Sequence, residues 1–348
     1  MHLYSKLLLK VNLPLSDYCK VILLKVKRTN KYKPGLAWFC IFVLFWVTLL
    51  LYAGGFTTSI EAGMAFLDWP LSNGSINPPG WTENREMRAE HSHRLLGIKI
   101  GILSIILVVW TQIREERFWV RRIAMIILLT VILQGCLGGA RVLFDRINIH
   151  NENNLIAQLF AIIHACGAQI VLCLLVTLSL VCSRYWIERN GGLIKPAPSS
   201  ISWTGLIACI FLFITIALGA MMRHSNVGLA ISTFPYSTWE GNWLPTYWNW
   251  AVSINFSHRI TALLTSITII LFLSRIWKHT QISPTLRWVS TLPFLLLLLQ
   301  IFLGAMVTWS QINEHIATVH MLVGAFLLAS CWMLTFLSIR LSPFFHPQ

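Results

Sequence analysis

Four histidines lie where polar residues meet apolar runs, in the stretches EHSHR, IIHA, FSHR and TVHM. Histidine is a common axial ligand of haem iron, and helical bundles hold such ligands on facing helices. Two pairs of histidines would serve two haems. The alternative is that each histidine only hydrogen-bonds a neighbouring helix. The four residues are His93, His164, His258 and His320.

An internal repeat places two of these histidines in each half of the chain, at equivalent positions. The stretch GGFTTSIEAGMAFLDWP at 54–70 aligns with GAMMRHSNVGLAISTFP at 219–235, and at the same spacing of 165 residues His93 meets His258. The other two histidines align after a longer connection in the first half. Polar residues inside membrane segments are costly and usually functional. Histidines at repeat-equivalent positions therefore favour iron ligation.

A carboxylate accompanies the histidines in only one half. Glu90 precedes His93 by three residues and so lies on the same helical face, whereas the equivalent position in the second half is Asn255. The first loop also carries Asp68 and Trp69 where the second has threonine and phenylalanine. This asymmetry favours Glu90 as a catalytic residue in a substrate site beside a plainer cofactor site. The alternative for Glu90 is a carboxylate at a helix N-terminus, where free N–H groups stabilise it.

An arginine follows each histidine of the EHSHR and FSHR stretches. These are Arg94 and Arg259, and near a membrane interface their long side chains could reach the propionate groups of a haem. Contact with lipid phosphate is the alternative. Lys99 has no counterpart in the second half and receives no role.

The elements that position these residues are membrane helices. Of 348 residues, 56% are hydrophobic and 11% charged, about half the charge of a soluble domain. A membrane-spanning helix needs about 20 mostly apolar residues. The sequence predicts an all-α polytopic membrane protein, with two tandem pseudo-symmetric four-helix bundles. The eight predicted spans are 35–55, 91–113, 121–143, 155–183, 202–222, 250–275, 286–309 and 315–340.

Lysine and arginine concentrate in the N-terminal segment and in alternate connections. By the positive-inside rule both termini are predicted to be cytoplasmic. The net charge of +14 then reflects topology and gives no indication of nucleic-acid binding. The predicted organisation is a basic cytoplasmic extension (1–34), an N-terminal bundle (35–183), a cytoplasmic linker (184–201), a C-terminal bundle (202–340) and a cytoplasmic tail (341–348).

These features together resemble the haem A synthase family (CtaA/Cox15). The resemblance covers about residues 35–340 and depends on the four histidine stretches and on TSIEAGMAFLDWP after the first span. It implies an oxidoreductase of the bacterial cytoplasmic membrane. The implied reaction is oxidation of the C8 methyl group of haem O to the formyl group of haem A by two successive hydroxylations, which supplies terminal oxidases.

The resemblance also implies roles for individual residues. His93 and His164 would face the iron of the substrate haem in the first bundle, and His258 and His320 would ligate a haem b in the second. Glu90 would be the catalytic carboxylate. Haem b is then the cofactor, and haem O and haem A are substrate and product.

The chain departs from some bacterial members, which carry a cysteine pair in the first outer loop. All eight cysteines here fall in predicted helices or on the cytoplasmic side. A mechanism that uses that pair as electron donor is excluded, and a quinol or another donor stays open. The sequence also leaves open whether a haem O synthase docks directly and whether the protein forms a homo-oligomer.

Two other classes of protein stay open. A diheme b-type electron-transfer cytochrome that handles quinol would use the same histidines but gives no reason for a carboxylate in one half. A transporter built from parallel repeats would place its polar residues near mid-membrane. In this sequence the polar residues gather near one membrane surface.

Overall fold

The computed structural model of the chain describes residues 31–147, 154–188, 198–279 and 284–340. Within these ranges the chain forms ten α-helices, and eight helical segments are long and apolar enough to cross a membrane. The helices are α1 (Pro34–Ser59), α2 (Arg85–Arg114), α3 (Phe118–Ile147), α4 (Leu155–Cys182), α5 (Arg184–Glu188), α6 (Ser199–His224), α7 (Trp250–Lys278), α8 (Pro284–Val289), α9 (Thr291–Trp309) and α10 (Glu314–Arg340).

The prediction of an all-α protein with eight spans is confirmed, the short α8 and α9 together making one span. Residues 1–30, 189–197 and 341–348 lie outside the described ranges. They contain most of the predicted N-terminal extension, part of the linker and the whole tail. The five predicted segments, and the pseudo-symmetry of two tandem bundles, therefore stay predictions.

Residues 60–84 and 225–249 form two long loops at the same end of the molecule, which we call the long-loop side. In the described part of the chain, each helix that begins on this side starts behind an asparagine. The side-chain oxygen of each asparagine accepts a backbone N–H of the first helical turn, which contributes about 1 kcal/mol. The four asparagines are Asn84, Asn154, Asn249 and Asn313.

The helices pack in two groups that share a central helix. α1 to α4 form a closed ring, since α1 contacts α2 and α4, and α3 contacts α2 and α4. In the second half α10 packs on α6 and α9, and α6 packs on α7. α10 also packs against α1 and α4, so 67% of its most apolar 18-residue segment is buried, against 17–33% in the other seven spans.

Leucines at helical spacing make the shared core. Leu172, Leu175 and Leu178 on α4 are fully buried, as are Leu327 and Leu334 on α10. Spacings of three residues on α4 and of seven residues on α10 place each set on one helix face. Because lipid tails are as apolar as leucine, these faces associate through close packing and not through exclusion from water.

Candidate functional site

The first pair of predicted histidines comes together between α2 and α4. The ring centroids of His93 and His164 are 6.4 Å apart, and the ring planes are perpendicular. An imidazole nitrogen lies about 2 Å from a bound metal ion, so two rings on opposite sides of one ion would have centroids roughly 6 Å apart. The observed spacing fits two axial ligands of one iron.

The second pair lies on α7 and α10, where His258 and His320 are within electrostatic range of each other. The Nδ1 atom of His258 lies 3.0 Å from the carbonyl oxygen of Thr215. The Nδ1 atom of His164 lies equally close to the carbonyl oxygen of Gln134. A carbonyl can only accept, so Nδ1 carries the proton in both rings. This leaves the Nε2 lone pair free for a metal.

The remaining histidine of each pair has a buried ring nitrogen without a partner. Among the described residues, neither Nδ1 of His93 nor Nδ1 of His320 makes a hydrogen bond. Leaving a buried polar atom unpaired costs about 1–3 kcal/mol. The donor set of two imidazoles per site suits haem iron.

Glu90 is 4% exposed and is held in one orientation between α2 and the first long loop. Arg94 donates to Glu90 Oε1 from Nη2 at 2.5 Å and from Nε at 3.1 Å. The backbone N–H of Phe66 donates to Oε2 at 3.1 Å. The N-terminal cap of α2 is Asn84, so the alternative interpretation of Glu90 as a helix cap is wrong.

In the second half an amide at the equivalent position makes the same contact with the arginine but the opposite contact with the loop, donating to a carbonyl where Glu90 accepts an N–H. Asn255 Oδ1 accepts from Arg259 at 3.2 Å, as Glu90 accepts from Arg94, and Asn255 Nδ2 donates to the Gly228 carbonyl at 2.8 Å. A neutral side chain therefore suffices to tie this helix to its loop. The negative charge of Glu90 is not required by the architecture.

Arg94 and Arg259 fasten the two long loops. Arg94 Nη1 donates to the carbonyls of Asp68 at 2.7 Å and Leu71 at 2.5 Å. Arg259 Nη2 donates to the Ile231 carbonyl at 2.9 Å. With Glu90 and Asn255 these acceptors engage most of the guanidinium N–H groups. Contact of these two arginines with propionates stays a prediction.

Asp68 and Trp69, the other first-half residues of the predicted substrate site, shape the first loop. The Asp68 carboxylate accepts the backbone N–H groups of Asn73 at 2.7 Å and Gly74 at 2.8 Å. Burial alone raises the pKa of Asp68, but these N–H groups and the Arg94 cation outweigh it and hold the pKa below its usual value. Trp69 packs directly on Gly139 of α3.

Sequence reasoning missed Arg141, near the end of α3. Its guanidinium lies within electrostatic range of Glu90, His93 and His164. It donates to the Gly63 carbonyl at 2.9 Å. The available signal was a single basic residue in an otherwise apolar run of the first half.

Arg223, at the end of α6, was also assigned no role. It crosses to the other half, where Nη2 donates to the carbonyl of Gly55 and to the hydroxyl of Ser59 on α1. Ser59 also shares a 2.8 Å hydrogen bond with Thr318 of α10. These contacts join three helices near the two histidine pairs.

Two polar residues of α2 have roles outside the candidate site. His91 is buried beneath the first loop, with Nδ1 3.0 Å from the Ser72 hydroxyl and its ring centroid 4.7 Å from that of Trp81. The ammonium group of Lys99 lies 3.1 Å from the ring centroid of Trp46, a cation–π contact.

Known proteins match this chain over most of its length. The family model described as COX15-CtaA, cytochrome oxidase assembly protein, matches residues 37–332. The chain is 28% identical to the haem A synthase of Bacillus licheniformis over 278 residues, 78% of this chain and 85% of that protein. It is 27% identical to the haem A synthase of Halalkalibacterium halodurans over 307 residues, 84% and 93% of the two chains. It is 29% identical to the haem A synthase of Bacillus pumilus over 284 residues, which are 79% of this chain and 86% of that protein.

Proposed function

The chain belongs to the COX15-CtaA family of cytochrome oxidase assembly proteins, and from this membership we propose that it is a haem A synthase. It oxidises the C8 methyl group of haem O to the formyl group of haem A in two successive hydroxylations. It works as a multi-pass protein of a bacterial cytoplasmic membrane, with both termini in the cytoplasm. Relatives named haem A synthase that match over most of their length support this function.

We assign the substrate to the first histidine pair and haem b to the second. His93 and His164 would hold the iron of haem O, and His258 and His320 would hold that of haem b. The 6.4 Å spacing of the first pair and the carbonyl partners of His164 and His258 support this assignment. Haem b, when bound, supplies one-electron redox chemistry.

The observation that carries the proposal is a buried carboxylate on Arg94 where the other half has a neutral amide on the equivalent Arg259. Arg94 and the Phe66 N–H fix the orientation of Glu90. A fixed negative charge stabilises positive charge that develops beside it in a transition state, and a carboxylate can also take a proton. Glu90 is therefore the proposed catalytic residue of the methyl oxidation.

Arg141 is the proposed partner of a substrate carboxylate. Most donors of Arg94 are engaged by Glu90 and the first loop, whereas among the described residues Arg141 has one backbone acceptor and a 3.6 Å ion pair with Asp145. The electrostatic effect of Arg141 on both histidines of the first pair supports this role, since a cation there would attract a propionate.

The electron donor in this proposal is a quinol or another small reductant at the membrane surface. The first long loop, 60–84, contains no cysteine. Donation by a loop disulfide is therefore excluded. Haem O reaches the protein from a haem O synthase, either through the lipid or by direct docking.

The test of the function is haem extraction and mass analysis after expression in cells that lack haem A, with and without a haem O synthase. Haem A that appears only with the synthase is the expected result. Haem b alone in folded protein, despite available haem O, would contradict the proposal and favour an electron-transfer cytochrome.

Replacing Glu90 with glutamine tests its catalytic role. Glu90→Gln keeps the shape of the side chain and an acceptor for Arg94 but removes the charge. We expect haem A formation to fall roughly 100- to 1,000-fold, as for loss of one electrostatic stabiliser, with the haem b spectrum unchanged. The matched control is Glu86→Gln, an exposed carboxylate one turn earlier on α2. Haem A at the wild-type level from Glu90→Gln would rule out the assigned role.

A further inference from the structure

Each of the four candidate histidines packs its ring against a glycine of a neighbouring helix. A β-carbon at Gly54 would lie 2.6 Å from Cε1 of His93. The same contact recurs in the other three cases at slightly longer distances. β-Carbons at Gly138, Gly219 and Gly304 would lie 3.3, 3.1 and 3.2 Å from Cε1 of His164, His258 and His320.

For two of these rings, the backbone carbonyl four residues before the glycine is the hydrogen-bond partner of Nδ1. Gln134 precedes Gly138, and its oxygen lies 3.0 Å from Nδ1 of His164. Thr215 precedes Gly219, and its oxygen lies 3.0 Å from Nδ1 of His258. These two hydrogen bonds fix the tautomer and the plane of the ring.

The other two histidines lie near the equivalent backbone positions. His93 is close to the backbone of Leu50 and His320 to that of Gln300, each four residues before its glycine, but among the described residues Nδ1 of neither ring makes a hydrogen bond. Nε2 of His320 lies 3.4 Å from the side-chain Nε2 of Gln300.

Helix geometry explains why the residue four positions on is glycine. Side chains point towards the helix N-terminus, so the side chain at i+4 covers the turn that contains the carbonyl of residue i. Glycine leaves that carbonyl open. Its oxygen has two lone pairs, and the helix hydrogen bond uses only one. A ring N–H from the next helix can then use the second.

We propose that Gly54, Gly138, Gly219 and Gly304 are positioning residues for haem ligation. Each exposes a backbone carbonyl to Nδ1 of one histidine, which orients the ring and directs Nε2 to the iron. A hydrogen-bonded Nδ1–H also makes the imidazole a stronger donor to the metal. The inference rests on the proposed haem binding but not on methyl oxidation.

The test uses the resident haem b of the purified full-length protein. Gly219→Ala and Gly304→Ala should each lower haem occupancy and reduce the low-spin absorption and electron paramagnetic resonance signals. Loss of a partner behind a ligating histidine typically weakens metal binding 10- to 100-fold. A tenfold weaker hold on ferric relative to ferrous haem raises the midpoint potential by about 59 mV. We expect a positive shift of this order.

Gly138→Ala extends the test to the first pair through the spectrum of added hemin. Its matched control is Gly135→Ala on the same helix, since a β-carbon at Gly135 meets no atom within 4 Å. Thermal unfolding and gel filtration report on folding.

A wild-type spectrum and potential for Gly219→Ala and Gly304→Ala would overturn the inference, as would an equal change in Gly135→Ala. If all three ring-contact variants fail to fold while Gly135→Ala folds, the glycines serve helix packing and the inference is wrong. Absence of haem A alongside the expected spectral shifts would contradict only the proposed reaction.

Discussion

At the scale of single residues, equivalent side chains in the two halves make equivalent contacts but differ in charge. Arg94 binds a carboxylate where Arg259 binds an amide. A structural requirement that an amide can meet does not select for a buried charge, which is costly to bury. The difference between Glu90 and Asn255 is therefore best explained by chemistry in the first half.

The role of Arg141 is tested by comparing hemin with its dimethyl ester, which lacks carboxylates. A hydrogen bond to a charged group contributes about 1.5–3 kcal/mol. Arg141→Gln should therefore weaken hemin binding to the first pair roughly 10- to 100-fold and leave ester binding unchanged. Absorption titration of purified protein measures both.

The control is Arg146→Gln, an exposed arginine near the end of the same helix. Equal weakening of hemin and ester in Arg141→Gln would show that Arg141 acts only through the structure of the site. No weakening of either would rule out a contact.

The sequence identified some of these residues and missed others for physical reasons. The four histidines and Glu90 stand out because repeat alignment exposes both what recurs and what does not. Arg141 has no counterpart in the repeat. Its nearness to His93 and His164 depends on how α3 packs against α2 and α4, which spacing along one helix does not predict.

At the scale of helices and loops, hydropathy predicted the spans but not their polar ends. α2 was predicted to begin at residue 91, whereas it begins at Arg85 behind the Asn84 cap. The first turns are polar and therefore escape a hydropathy criterion. This extension places Glu90 in the second helical turn, where its carboxylate meets the first long loop.

The first loop should lose stability in acid because of Asp68. Its pKa in the folded protein lies below the unfolded value, about 3.9. The ionised carboxylate therefore stabilises the fold above about pH 4, and this contribution disappears as the pH falls through the lower folded pKa. Asp68→Asn should unfold at a lower temperature than wild type at pH 6, and the difference should narrow as the pH falls below 4.

Thermal unfolding of detergent-solubilised protein at several pH values measures this effect. Glu86→Gln, which alters an exposed carboxylate beside the same loop, is the control. A constant difference between Asp68→Asn and wild type across this range would contradict the assigned linkage.

At the scale of the whole molecule, the two halves share a core and are not separate bundles placed side by side. α10 packs against helices of both halves, and Arg223 donates from α6 to α1. The repeat predicted two bundles, but it carries no information on how they meet. Arg223, which joins them, has no equivalent in the other half, where the matching position is Thr58.

Arg223→Met should loosen the junction between the halves. The guanidinium donates to Gly55 and Ser59 within the protein, and hydrogen bonds from a charged group contribute about 1.5–3 kcal/mol. We expect the free energy of unfolding, measured by SDS titration with tryptophan fluorescence, to fall by about 2 kcal/mol.

The comparison is Arg85→Met, which breaks the ion pair with Glu314 between α2 and α10. The Arg85 side chain is 54% exposed, and solvent-exposed pairs contribute little. An effect of Arg223→Met as small as that of Arg85→Met would mean that the contacts of Arg223 do not hold the halves together.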